Sequence, residues 1–173
     1  MGRRPAVVDS QAFRQALGCF ASGVTIVTSV SEAGPVGLVV SSFSSVSLVP
    51  PLVGFYVGKT SRTWPVIRHS GQFVVNILAA DQEWVCREVV ARADGCFDGP
   101  AWVGDSDEPP RLVGALAWIR CSIHRVMDAG DHHSVLGRVT DLASGRERSA
   151  PLVHHRGEYI QTVTHGDEGL SRS

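Results

Sequence analysis

VTIVTSVSEAGPVGLVVSS, residues 24–42, is the stretch that decides the fold. It begins with seven residues rich in β-branched side chains, 24–30, which favour a strand. Glu32-Ala33-Gly34-Pro35 follows, a combination typical of a turn, and a second apolar run extends from Val36 to Ser42. The stretch therefore predicts two strands joined by a tight turn.

Similar signals continue along the chain and alternate with a few short helices. We expect further strands at 51–57, 72–78, 115–127, 134–142 and 158–163, and helices at 9–20, 61–70 and 81–91. Asp9 or Ser10 can cap the first helix. The Ser-rich stretch ending in Pro50-Pro51 is predicted as a bend, residues 93–110 as a loop, and residues 128–131 as a turn. Many short strands without βαβ alternation predict a mainly β fold, a closed antiparallel barrel with helical decorations.

Length and composition bound the function. The 173 residues suit one domain, which we place at 9–163 between flexible termini at 1–8 and 164–173. The net charge of −1 lacks the basic excess of a general nucleic-acid binder. No apolar run is long enough for a membrane span, and no secretory signal is evident at the start, so we expect a cytoplasmic protein that binds neither membrane nor nucleic acid. The four cysteines are spread widely and form no C-x-x-C pair, which argues against a zinc ribbon.

The first candidate site segment is the end of the second strand. Gly37, Leu38, Val39 and Val40 lead into Ser41 and Ser42, after which come more serines and a double proline. Backbone amides and hydroxyls at such a strand end can hydrogen-bond the carbonyls and ring nitrogens of a planar heterocycle, while the valines face its rings. A plain Ser-rich bend between two strands is the alternative interpretation.

The second candidate segment runs from Lys59 to Trp64. It contains Ser61, Arg62 and Thr63 ahead of a predicted helix. Hydroxyl donors together with a guanidinium form a good seat for a phosphate group. The spacing is not that of a P-loop, and a solvated loop with an ordinary serine cap explains the same residues.

The third candidate segment is Gly130-Asp131-His132-His133. Gly130 permits a tight turn, Asp131 can accept a hydrogen bond, and two imidazoles follow. A histidine here can orient a nicotinamide or balance the charge of a reduced flavin. A hairpin turn without further function and a metal site with His154-His155 are the alternatives. Adjacent histidines on a strand point to opposite faces, which disfavours the metal site, and we predict none.

Taken in order, these segments and three others resemble the flavin-reductase domain family of FMN-binding split barrels. The resemblance runs from about Phe13 to Tyr159. It rests on six motifs: Phe13-Arg14-x-x-Leu17-Gly18 with Ser22-Gly23-Val24-Thr25-Ile26-Val27-Thr28, Gly37 with Ser42-Phe43-Ser44-Ser45-Val46-Ser47-Leu48-x-Pro50-Pro51, Ser61-x-Thr63-Trp64, Gly71-x-Phe73-x-Val75-Asn76-x-Leu78, Gly130-Asp131-His132, and Pro151-Leu152 with Arg156-Gly157-x-Tyr159.

The resemblance implies a Greek-key split β-barrel and an NAD(P)H:flavin oxidoreductase. In such proteins NADH or NADPH reduces FMN or FAD, a homodimer holds the flavin near its interface, and reduced flavin passes to a separate monooxygenase. Carried to this chain, the flavin ring would lie along Gly37 to Ser42. Ser61, Arg62 and Thr63 would hold the phosphate. Asp131, His132 and His133 would lie at the nicotinamide site, with His132 as the catalytic residue.

The chain also departs from the family pattern. Glu88-Val89 stands where members often carry Arg-Phe, and Cys96 stands where they often carry Lys. Val39 stands where members often carry Thr. Glu88 and Cys96 favour an alternative function, in which the same barrel binds another planar ligand or catalyses a non-redox step without flavin turnover, whereas the retained Gly130-Asp131-His132 favours the reductase.

Overall fold

The computed structural model describes residues 8–91, 100–105, 107–146 and 149–162. The predicted flexible termini, apart from Val8, lie outside the described residues, and so do Cys96 and most of the first half of the predicted 93–110 loop. None of the helices in the described ranges is long and apolar enough to cross a membrane.

The helices of the described ranges are short. They are α1 at Ser10–Gly18, α2 at Trp64–Ser70 and α3 at Glu83–Ala91, with a 3-10 turn at Ala80–Gln82 before α3. Asp9 caps α1, because its carboxylate accepts the Ala12 N–H at 2.9 Å.

Strands make up most of the described chain, which confirms the mainly β prediction. They are β1 Ser22–Gly23, β2 Thr25–Ser31, β3 Gly34–Val40, β4 Ser44–Leu48, β5 Pro51–Gly58, β6 Gln72–Ile77, β7 Trp102–Val103, β8 Arg111–Leu112, β9 Ala117–Ala129, β10 His132–Ser144, β11 Leu152–His155 and β12 Glu158–Gln161.

The main sheet has the strand order β3-β2-β6-β9-β10-β5-β4, and each of its described pairings is antiparallel. β3 lies at one edge of this sheet and also approaches β5, which is one strand from the other edge. The sheet therefore curls round on itself. A smaller sheet, β1-β11-β12, continues from the start of β2, where the Val24 N–H donates to the Leu152 carbonyl.

Apolar side chains fill both sides of this curved sheet. Inside the curve, Phe55, Phe73 and Val135 belong to the first core cluster, in which Phe55 meets Phe73 edge to face at 5.5 Å. Ile26 and Leu78 belong to a second cluster between the sheet and α3. The neighbours Ile26 and Val27 point into different clusters, so β2 is buried on both faces and reads as a continuous apolar run.

Three predictions of local structure were wrong. The Ser-rich bend contains β4, an edge strand whose exposed serines are tolerated because only one side of it pairs. The predicted turn at 128–131 is shorter, since only Gly130 and Asp131 lie outside the strands and Gly130 has a φ of 65°. That φ suits the first position of a two-residue hairpin turn. Because the turn is so short, β9 continues to Ala129 and β10 begins at His132.

The third wrong prediction concerns the shortest strands. The predicted 93–110 loop includes β7, which pairs with β8, and β11 had no predicted counterpart. These strands are too short for side-chain alternation to reveal them. Other differences are at element ends, for example α2, which begins at Trp64 rather than at Ser61.

Asn76 is a fully buried polar side chain that joins β2, β6 and β8. It accepts the Leu112 N–H at 2.8 Å and donates to the Ile26 carbonyl at 3.2 Å. Asn76→Ala would leave both backbone groups without this partner, so we expect the free energy of unfolding to fall by about 3 kcal/mol. Urea unfolding followed by circular dichroism measures this. The exposed Gln161→Ala is the control, with an expected change below about 0.5 kcal/mol; an equally small change for Asn76→Ala would contradict the role of this side chain.

Candidate functional site

The candidate site lies at the seam where β3 approaches β5. No ladder of backbone hydrogen bonds joins these two strands in the described structure. One side chain bridges them instead: the Ser42 hydroxyl accepts the Tyr56 N–H at 2.9 Å and donates to the Tyr56 carbonyl at 3.2 Å. Because β2 is the one strand that pairs with β3 in the described ranges, backbone groups along the other edge of β3 remain available to a ligand.

A cleft of about 370 Å³ opens at this seam. Three segments that are distant in the sequence meet there: the end of β3, the end of β5 with the loop after it, and the start of β10. The described lining residues are Leu38, Val39, Val40, Ser41, Ser42, Tyr56, Val57, Gly58, Ser61 and His132. The mixture of apolar side chains and a few convergent polar groups is typical of a small-molecule site.

His132 reaches the cleft from the first position of β10. The β10–β5 register places it opposite Gly58, and its side chain is 47% exposed. Its Nδ1 lies 2.7 Å from Oδ1 of Asp131. This contact, first through its hydrogen bond and then through the charge of His132, lowers the pKa of Asp131. A proton shared on this side of the ring leaves Nε2 as the atom available to a ligand.

A second aspartate connects the hairpin to the loop after β5. Oδ1 of Asp128 lies 3.2 Å from Nζ of Lys59 and 3.4 Å from Nδ1 of His133. The hydrogen bond from Lys59 is the main cause that lowers the pKa of Asp128. The Lys59 N–H also donates to the Asp131 carbonyl at 2.9 Å, so two contacts of one lysine hold loop and hairpin together.

Ser61 is the member of the predicted phosphate seat that lines the cleft. Its hydroxyl oxygen accepts the Trp64 N–H at 3.2 Å, which leaves the hydroxyl proton free for a ligand. Arg62 is exposed and Thr63 is half-buried. Within the described part of the chain, neither side chain has a hydrogen bond or an ion pair.

The structure thus brings most of the predicted site residues together. Leu38 to Ser42, Ser61 and His132 line one cleft. Five predicted residues lie beside it without lining it: Gly37, Arg62, Thr63, Asp131 and His133. Sequence analysis missed Tyr56, Val57 and Gly58, although the strand signal at 51–57 placed the first two in the right element.

Of the departures from the family pattern that the structure describes, only Val39 lines the cleft. Glu88 is exposed on α3, and Val89 is buried in the second core cluster. Neither of them lines the cleft, and Cys96 lies outside the described residues. Val39 does line the cleft and also packs against the second cluster, so its side chain supports the strand from behind.

Neither metal ligands nor reactive thiols gather in the described ranges. No group of three or more His, Cys, Asp and Glu side chains there is placed to hold a metal ion, so His154 and His155 do not join His132. Cys121 is a buried residue of β9, and burial raises the pKa of its thiol to about 12. That thiol is therefore un-ionised at neutral pH.

The family model described as "Flavin reductase like domain" matches residues 17–162. Among curated proteins, the chain is 43% identical over 152 residues to the reductase subunit of a flavin-dependent monooxygenase from Rhodococcus jostii. This match covers 88% of the chain and 77% of that protein.

Solved structures of the same kind share the fold. Nitrilotriacetate monooxygenase component B from Mycobacterium thermoresistibile is 40% identical with a TM-score of 0.82, over 95% of this chain and 96% of that one. An NADH:FAD oxidoreductase of Streptomyces globisporus, solved with NAD and FAD fragments, is 33% identical with a TM-score of 0.81, over 91% and 96% of the two chains.

Proposed function

Because this chain belongs to the flavin reductase-like domain family, we propose that it is an NAD(P)H:flavin oxidoreductase. It reduces FMN or FAD with NADH or NADPH and supplies the reduced flavin to a separate monooxygenase. The cofactors bring the hydride chemistry with them when they bind, and the protein contributes proximity and orientation.

The observation that carries this proposal is the convergence of three segments on one cleft. The free edge of β3 and the hydroxyl of Ser41 offer donors and acceptors to the edge of a planar ring system. Leu38 and Val40 add apolar atoms to the lining beside them. These residues fit an isoalloxazine ring, which is flat and apolar on its faces and polar along one edge.

The two ends of the cleft have different tasks in this proposal. Ser61, with Arg62 and Thr63 beside it, holds the flavin phosphate through its hydroxyl proton, and the exposed guanidinium adds positive charge. His132 binds the nicotinamide, and Asp131 positions its ring. His133 takes part indirectly, because its contact with Asp128 belongs to the network that fixes Lys59 and the phosphate loop.

The assembly is part of the same proposal: one domain at 9–163, present in the cytoplasm as a homodimer. Support for a dimer comes from α1, none of whose residues is buried. Phe13, Leu17 and Phe20 are exposed by 55%, 57% and 79%, and a second copy of the chain would cover them. Of the described cysteines, Cys19, Cys86 and Cys121 are free thiols, which suits a reducing compartment.

The test is flavin-dependent oxidation of NADH by the purified protein. We expect turnover with FMN or FAD, loss of turnover when flavin is omitted, and transfer of electrons to added cytochrome c through the released reduced flavin. Binding of flavin without any consumption of NADH or NADPH would instead favour the alternative, a barrel that binds a planar ligand without redox turnover.

Asp131→Asn tests the positioning of His132. The amide keeps the size of the side chain but removes the charge that faces Nδ1, so we expect KM for NADH to rise about threefold, with Kd for FMN within about twofold. The pair is exposed to solvent, which screens its interaction and keeps the expected factor modest. Steady-state kinetics against NADH measures the effect. If KM for NADH and Kd for FMN rise by the same factor, Asp131 stabilises the hairpin as a whole and does not position His132 for the nicotinamide.

A further inference from the structure

The phosphate loop, residues 59–63, follows β5 and is contacted at both of its ends by the β9–β10 hairpin. At its start, Nζ of Lys59 lies 3.2 Å from Oδ1 of Asp128. Directly after its end, the ring of Trp64 packs against the ring of His133, with 6.2 Å between the ring centroids. The residues proposed to bind the flavin phosphate therefore lie between two contacts with one hairpin.

Asp128 is the side chain that connects these two contacts. The β9–β10 register places it directly opposite His133, and its Oδ1 lies 3.4 Å from Nδ1 of His133 as well as beside Nζ of Lys59. His133 is largely buried and touches both this carboxylate and Trp64, which is itself buried and begins α2. One carboxylate thus links the first residue of the phosphate loop to the residue that follows the loop.

The same hairpin presents His132 to the cleft. His132 and His133 are neighbours on β10 and point to opposite faces, so that His133 meets Trp64 while His132 lines the cleft. The end of the hairpin is exposed, since the side chains of Asp128 and Asp131 are 77% and 94% exposed. Because such a segment has few buried contacts of its own, the position of His132 depends on how firmly the phosphate loop is held.

We propose that Asp128 is a positioning residue that couples the two ends of the cleft, so that a phosphate bound by the phosphate loop tightens the binding of the nicotinamide at His132. This inference rests on the proposed reductase function. A bound phosphate orders the loop and, through Asp128, the hairpin, so less ordering remains when the dinucleotide binds. A direct effect has the opposite sign, because the phosphate and the dinucleotide are both anionic and repel each other.

FMN and riboflavin separate this coupling from contacts between the two ligands. They share one ring system and differ in the phosphate, so a contact between the flavin ring and the nicotinamide contributes equally to both. The second ligand is tetrahydro-NADH, an analogue whose ring cannot donate a hydride. Fluorescence titration gives Kd for each flavin with and without a saturating concentration of this analogue. Since coupling is reciprocal, the analogue tightens FMN by the factor by which FMN tightens the analogue.

We expect the analogue to tighten FMN about fivefold more than it tightens riboflavin, the low end of the usual range of coupling, because Asp128 is exposed. Asp128→Asn keeps the size of the side chain and removes its charge, so this ratio should fall below about twofold. Lys59→Gln should lower the ratio equally, and the double variant no further, because each change removes the same interaction. Asp141→Asn, at an exposed position of β10 outside the cleft, is the matched control and should keep the full ratio.

The ratio between the two flavins distinguishes coupling from damage to the fold, which would weaken both flavins alike. If the analogue tightens FMN and riboflavin by the same factor in the wild-type protein, the coupling is absent. If both Asp128→Asn and Lys59→Gln keep the full ratio, Asp128 does not transmit it. Either result overturns this inference while leaving NADH oxidation with FMN intact. Failure of the reductase function looks different, since NADH then persists whichever flavin is bound.

Discussion

His132→Ala is expected to raise KM for NADH about tenfold or more while Kd for FMN stays within about twofold. In the structure this side chain lines the cleft, and its Nδ1 contact with Asp131 leaves Nε2 for a ligand. Removing one good hydrogen-bonding group from a binding site costs about 1.4 kcal/mol, which corresponds to the tenfold factor. An increase in KM with a smaller change in kcat is the pattern for a group that binds the substrate as well as it binds the transition state.

The matched control is His124→Ala, which removes an exposed imidazole from β9 outside the cleft. It is expected to change neither constant by more than about twofold. Steady-state kinetics with NADH varied, and fluorescence titration with FMN, give the two constants for each variant. If His132→Ala weakens FMN as much as NADH, His132 belongs to the flavin end of the cleft and the assignment of its two ends is wrong.

Ser61→Ala combined with Thr63→Val is expected to weaken FMN binding about a hundredfold. A hydrogen bond to a charged group contributes about 1.5–3 kcal/mol, and each hydroxyl is expected to make one to the phosphate. Riboflavin, which has the same ring system but no phosphate, separates this effect from damage to the fold. Its affinity for the double variant should stay within about threefold of the wild-type value.

The structural cost of this variant is small and measurable. The Ser61 oxygen accepts the Trp64 N–H, so its removal is expected to lower stability by about 1 kcal/mol, the usual cost of a lost cap. A melting curve checks that the variant remains folded at the temperature of the titration. Equal losses of FMN and riboflavin would mean that the loop shapes the ring site, and unchanged FMN affinity would mean that the phosphate binds elsewhere.

Local patterns predicted the elements that local forces determine. β2 was predictable because its β-branched residues are buried on both faces, and α1 because Asp9 caps a helical spacing of apolar residues. β4 was missed because serines have low strand propensity, and the strand forms only since it pairs with β5 at an edge. The turn at Gly130 is shorter than predicted, because the pairing of β9 with β10 continues to Ala129 and His132, beyond what local sequence patterns indicate.

The site residues also divide into those that local sequence predicts and those that depend on long-range contacts. The sequence pointed to the β3 end, Ser61 and His132 because residue types and spacing carry chemistry. Two contacts between distant segments bring these residues together. The first is the β10–β5 pairing, and the second is the hydrogen bonding of the Ser42 hydroxyl to the Tyr56 backbone. The contact between Lys59 and Asp128 was equally hidden, because the sequence placed Asp128 in the turn rather than in β9.

The most direct test is a single anaerobic turnover. Purified protein mixed with one equivalent of FMN is treated with NADH, and the absorbance of the nicotinamide and of the oxidised flavin is followed together. Delivery of a hydride within the β3–β5 cleft predicts the loss of one NADH for each flavin bleached, at a rate that falls when His132 is replaced by alanine. Flavin that stays oxidised and NADH that persists, in protein shown to bind both, would contradict the reductase function.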